Sequence, residues 1–165
     1  MRLILAALAA LLVFAAPAAA KTYDVPAELA DVLPGVVAKT PLPVLLPDRM
    51  TYEDMQLYPS GSGHRRSWEL SLAAAPDCGG ATACFVASFW AHKGERPSGT
   101  RKVRLRGGRT GWFRPLSCGA SCSPPTISWR QHGAAYWIQA NVGTQRTERR
   151  NLVRMADQAI AAGAR

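Results

Sequence analysis

Residues 111–140, GWFRPLSCGASCSPPTISWRQHGAAYWIQA, decide the fold. They hold a close cysteine pair, a proline stop, and two runs that read as strands. In ISWRQ, Ile127 and Trp129 alternate with Ser128 and Arg130; His132-Gly133 then supplies a turn and AAYWIQA returns. Period-two alternation broken by a residue pair that tolerates positive φ is the pattern of a β-hairpin.

Upstream, RKVRLR places Val103 and Leu105 on one side, Gly107-Gly108 turns the chain, and GWFRP comes back. The result is a meander. SWELSLAAA sets Trp68, Leu70 and Leu72 against Ser67, Glu69 and Ser71, as a half-buried strand does. ATACFVASFWA is its expected partner across PDCGG, with Phe85 and Phe89 on one face and Val86 and Trp90 on the other. PSGSG before Ser67 reads as a flexible turn. PLPVLLP, carrying Pro41, Pro43 and Pro47, reads as an edge strand or lead-in, because proline has no N–H for a ladder.

Downstream, Leu152, Val153, Ala156 and Ile160 make the apolar stripe of a helix, with Thr147 as cap and Gly163 as stop. A shorter helix is expected near Pro26–Leu33, capped by Asp24 and interrupted by Pro34-Gly35. Together these elements predict an α+β fold: an antiparallel sheet of about five or six strands with a C-terminal helix packed on one face.

The first residues resemble an export leader. Arg2 precedes an apolar run from Leu3 to Phe14, and Pro17 and Ala18–Ala20 offer a small-residue cleavage site. The run is shorter than the roughly 20 residues a membrane-spanning helix needs, so the mature chain is expected to carry no transmembrane segment. The reading is a signal peptide over 1–20, an N-terminal arm or short helix over 21–40, and one disulfide-bonded domain over 41–165. Cleavage after Ala20 leaves 145 residues, enough for one core, with 19 basic against 11 acidic side chains. The expected location is the periplasm or the exterior. There four cysteines form disulfides rather than thiols, and short loops favour Cys78–Cys84 and Cys118–Cys122.

PVLLP, CGASCSPP, SWRQHGAAYWIQA and LVRMADQAI, taken in this order, resemble a group of small uncharacterised secreted bacterial proteins. The W-x-x-x-G-x-x-Y portion from Trp129 to Tyr136, with the helix after it, is similar to C-terminal domains of some bacterial envelope and sigma-factor-regulating proteins. The resemblance implies a fold and no site residues.

Catalytic patterns fail on inspection, and no catalytic residue, metal ligand or cofactor is assigned. Ser62 in SGSGH is not in a G-x-S-x-G elbow, and Ser121 between two cysteines has no helix after it. Cys78-x5-Cys84 and Cys118-x3-Cys122 miss zinc spacing, and C-G-A-S-C is one residue longer than the redox C-x-x-C. His64, His92 and His132 are far apart and lie in expected turns.

The least bland surface is basic. Alternation groups Lys102, Arg104 and Arg106, with Arg101 and Arg109 at the ends, as a site for an anionic polymer or an acidic envelope protein, nucleic acid included. The plainer explanation is that these charges keep an edge strand from pairing with other chains. The tryptophans on strand patterns belong to the core. Trp112 and Trp137 are read first, on their apolar area, as capping the core rim, and second as lying opposite the buried face, where aromatics beside Arg104, Arg106, Arg114 and Arg130 can stack on sugar rings or bases. The functional expectation is a non-enzymatic binding module of the bacterial envelope. A cell-wall or polysaccharide hydrolase, which would need convergent carboxylates, and a purely structural envelope protein are the alternatives.

Overall fold

The computed structural model describes residues 19–79 and 81–165. The expected leader, apart from Ala19 and Ala20, lies outside them. Ala20 opens β1 (Ala20–Asp24), which pairs antiparallel with β2 (Arg49–Glu53). Between them sit α1 (Val25–Glu28) and α2 (Leu33–Val37), two short helices where one was expected. Asp24 Oδ1 accepts from the Ala27 N–H at 3.0 Å, as a cap should. Pro34 belongs to α2 rather than interrupting it, because in a first turn its missing N–H leaves no bond unmade.

The main sheet is built from β3 (Tyr58–His64), β4 (Ser67–Ala73), β5 (Phe85–Lys93), β6 (Arg101–Arg104), β7 (Thr110–Arg114), β10 (Thr126–Gln131) and β11 (Ala134–Ala140). The ribbon of β8 (Ser117–Cys118) and β9 (Cys122–Ser123) interrupts the path from β7 to β10. The spatial order is β3-β4-β5-β11-β10-β7-β6, with every hydrogen-bonded pair antiparallel. The α+β class holds, with seven strands in the main sheet. The meander also holds, in two pieces: β3 to β5, and β6 to β11. They join where β11 pairs with β5.

The extra strand is β3. YPSGSGH, whose PSGSG core reads as a turn, is an edge strand paired along its whole length with β4. Its glycines serve a close packing contact. A Cβ on Gly63 would lie 2.5 Å from the Val36 carbonyl oxygen, and one on Gly61 would lie 2.9 Å from Val36 Cγ2. Only a strand stripped of side chains here lets α2 lie against β3 and β4.

Register sorts the strands into two faces. On one, Trp68, Ala91, Tyr136 and Trp129 form a row across β4, β5, β11 and β10. Leu70, Phe89, Ile138, Ile127 and Phe113 form the next, and every residue of both rows is buried. The helix α3 (Glu148–Ala162) lies against β10 and β11 on this side and buries Leu152, Met155, Ala156 and Ala159. Val153 and Ile160, expected in that stripe, are only partly buried. Thr147 holds the N-cap position, but its hydroxyl accepts from the Thr144 N–H instead of capping. Gly163 ends the helix with φ 78°.

PLPVLLP is a lead-in. Leu45 bridges Ala164, the Arg165 N–H donates to Val44 O, and Trp68 Nε1 donates to Pro43 O at 3.3 Å, so this segment closes the covered layer over the C-terminus. Within the layer the Tyr136 ring stacks on Trp129 and tilts against Trp68. Its hydroxyl finds no hydrogen-bond partner among the described residues, and burial pushes the phenol up to about 12.

Both expected disulfides form. Cys78–Cys84 staples the β4–β5 loop and Cys118–Cys122 closes the β8–β9 ribbon. Beside the first, register shifts between Leu72 and Ala73: Leu72 faces Ala87, yet Ala73 faces Phe85, leaving Val86 as an extra residue. This bulge separates Phe85 from Phe89, which strict alternation places together. His132-Gly133 turns β10 into β11 with φ 49° and 75°, the conformation a two-residue hairpin loop requires.

Candidate binding face

Among the described residues, no helix lies on the other face of the sheet. Its central row runs Ser62, Glu69, Trp90, Trp137, Ser128, Trp112, Lys102 from one edge strand to the other. The row exists because the residues between the buried positions of six successive register partners all point the same way. Trp90 and Trp137 stack with ring centroids 5.7 Å apart and planes within 3°. The Lys102 ammonium sits 5.1 Å from the centroid of Trp112, a cation–π contact.

The connection from β5 to β6 crosses this face. The Ser98 N–H donates to Ser128 Oγ at 2.9 Å, and the Ser128 hydroxyl donates back to the Ser98 carbonyl at 2.9 Å. That reciprocal pair explains how Ser128 can be fully buried without an unmet polar group. A Cβ on Gly99 would lie 2.8 Å from the backbone of Trp112, so the strap needs glycine to lie flat. Anchored at Ser128, it leaves Trp90 and Trp137 on one side and Trp112 and Lys102 on the other.

On the Lys102 side the face is basic. Register places Arg104, Arg114 and Arg130 on it, all exposed. The expected five-residue cluster is thereby divided. Lys102 and Arg104 share this face, whereas Arg101, paired with Phe113, points to the helix side and lines a pocket with Arg146 and Arg149. Arg106 has left the strand for a 3-10 turn (Arg106–Gly108), where its N–H donates to Asp157 on α3 at 2.6 Å. Arg109 folds back so that its guanidinium donates to the Arg106 carbonyl at 3.1 Å. Strand alternation reaches only as far as the strand.

On the other side of the strap lies a groove of about 490 Å³ over β3, β4 and β5. Its floor holds Ser60, Ser71 and Ser88, which are register partners, with Glu69 beside them. Ser71 Oγ and Ser88 Oγ are 2.6 Å apart. Tyr58 and Phe85 line one end, and Cys78 and Gly79 of the disulfide loop form the wall.

The sequence offered the outward face for Trp112 and Trp137 only as the lesser reading; register puts both there, with Trp137 buried, and neither reading held their union with Trp90 or the groove. The Ser67, Glu69, Ser71 alternation was the available signal; it needed the register with β3 and β5 to become a surface. Among the described residues, no three His, Cys, Asp or Glu side chains gather as a metal site would require. His92 lies on β5, with Nδ1 3.4 Å from Glu95 Oε1. No protein-family model, curated protein or solved structure matches this chain.

Proposed function

We propose that this chain is an exported, non-enzymatic binding module that holds an anionic polymer of the cell envelope on the basic half of its open sheet face. The observation that carries the reading is the Lys102–Trp112 cation–π pair on the same uncovered face as Arg104, Arg114 and Arg130. Aromatic area beside cations that make no ion pair among the described residues suits a polymer that alternates flat rings with negative groups. Export is supported by the apolar leader and by two disulfides in so short a chain. No described helix is long and apolar enough to cross a membrane. Glycoside hydrolysis generally uses two facing carboxylates, and the groove presents Glu69 alone among the described residues.

Retention of the intact protein on immobilised heparin across a salt gradient tests the reading. Lys102→Gln with Arg104→Gln is expected to elute at clearly lower salt, since each lost contact lowers the salt dependence by about one unit of slope. Arg106→Gln with Arg109→Gln, altering charges that lie outside the strand in the 3-10 turn and after it, is expected to do less. Equal elution of the first variant and the wild type, with the fold intact, would remove the basic face as a site.

A further inference from the structure

The serine-floored groove differs in chemistry from the basic face across the strap, and we infer that it is a separate site for a neutral pyranose unit of a glycan. The chain carries 20 Lys and Arg residues. Among the described residues none of them lines this groove, and Glu69 is the one carboxylate that does. An anion would therefore meet a carboxylate and no cation. A divalent metal would find one carboxylate where calcium takes six to eight oxygen ligands. An apolar ligand would strip water from the Glu69 carboxylate and the Ser60 hydroxyl and return nothing for it.

A pyranose avoids all three penalties. Its rim of hydroxyls donates and accepts, as the floor does, and its C–H faces suit the rings of Tyr58 and Phe85. The groove's roughly 490 Å³ lies within the usual span of about 300–1,000 Å³ for small-molecule sites. Ser71 Oγ, 2.6 Å from Ser88 Oγ, also lies within 3.5 Å of Glu69 Oε1, so the carboxylate stands at the end of a hydroxyl chain that it polarises. A sugar hydroxyl donating to Glu69 would gain a charge-assisted bond.

Two features that packing does not demand find a use here. The bulge at Val86 turns Phe85 out of the core and into the groove wall. Bulges that re-aim a side chain are characteristic of functional sites. The Cys78–Cys84 bridge fixes the loop that forms the wall, so the groove exists before a ligand arrives.

Amide chemical-shift titration of the disulfide-bonded protein decides the matter, using the β-1,4-linked tetramers of glucose and of N-acetylglucosamine and the α-1,4-linked glucose tetramer. At least one is expected to shift Ser60, Ser71, Ser88 and Gly79 while sparing Lys102 to Arg104, equally at low and high salt. Ser71→Leu, which fills the floor, is expected to weaken binding about tenfold or more, the loss of roughly 1.4 kcal/mol. The exposed Glu69→Gln, which leaves the fold alone, should weaken it several-fold. Lys102→Gln with Arg104→Gln should leave it unchanged, so this site and the basic one fail independently. Silence of the groove amides with all three tetramers overturns the inference. So does wild-type affinity in both groove variants, or shifts confined to β6 and β7.

Discussion

Phe89 and Trp90 are chain neighbours on β5, yet one belongs to a sealed layer and the other to an open one. Phe89 has no exposed surface and packs between Leu70 and Ile138. Trp90 stacks on Trp137 with only part of its area covered. The covered face is assembled from parts distant in the chain: α2, the PLPVLLP lead-in and α3 all converge on it. Among the described residues, the open face is made by the sheet and one strap. Side chains on the first are chosen by volume; on the second, Trp137 and Ser128 are buried too, while Trp90 and Trp112 keep part of their area exposed.

Substitution at the two neighbours should therefore separate by energy. Phe89→Ala is expected to cost about 3–5 kcal/mol, the usual range for a fully buried ring, whereas Trp90→Ala should cost clearly less. Denaturant melts of both variants measure this, and equal losses would mean that the open face is covered in solution. Gly63→Ala probes the covered layer from its edge. Its methyl would collide with the Val36 carbonyl and displace α2, for an expected loss of about 1–3 kcal/mol. Gly108→Ala, with no atom within 4 Å of the new methyl, tests backbone strain alone because its φ is 72°.

The smallest effect is expected at Tyr136. Removing its unpartnered hydroxyl in Tyr136→Phe should stabilise the fold by about 1 kcal/mol, since an unmet buried polar group costs roughly that or more. The phenol titrates near 10 when unfolded and near 12 when folded. The stability this shift contributes is complete below pH 10 and is lost as pH rises through 12. The wild type should thus lose stability across that window faster than Tyr136→Phe, as alkaline melts would reveal.

Much of the fold was legible because strong alternation and turn chemistry coincide, as in Trp68–Leu72 and in Trp129 to Tyr136 across His132-Gly133. The β3 strand was not, since its glycines answer to Val36 on α2 and not to strand propensity. Nor was the bulge at Val86, which depends on how two strands meet. For the sites, alternation correctly grouped Lys102 with Arg104 but could not foresee that Arg106 would enter a turn held by Asp157. The groove required three strands in register before its scattered serines became neighbours.

The pairing of β5 with β11 at the middle of the sheet carries a consequence for how the chain acquires its shape. Ala91 faces Tyr136, and Ala87 faces Ala140, so the central ladder cannot close until nearly the whole chain is free. Pairings of such long sequence separation slow folding, because the intervening loop loses its entropy before any contact repays it. The Trp68–Leu72 and Phe85–Lys93 hairpin can form early, but one of its edges then waits for a partner made last. Until its final third is available the chain therefore has no closed sheet, and the early hairpin keeps an open edge to which a strand of another chain could pair.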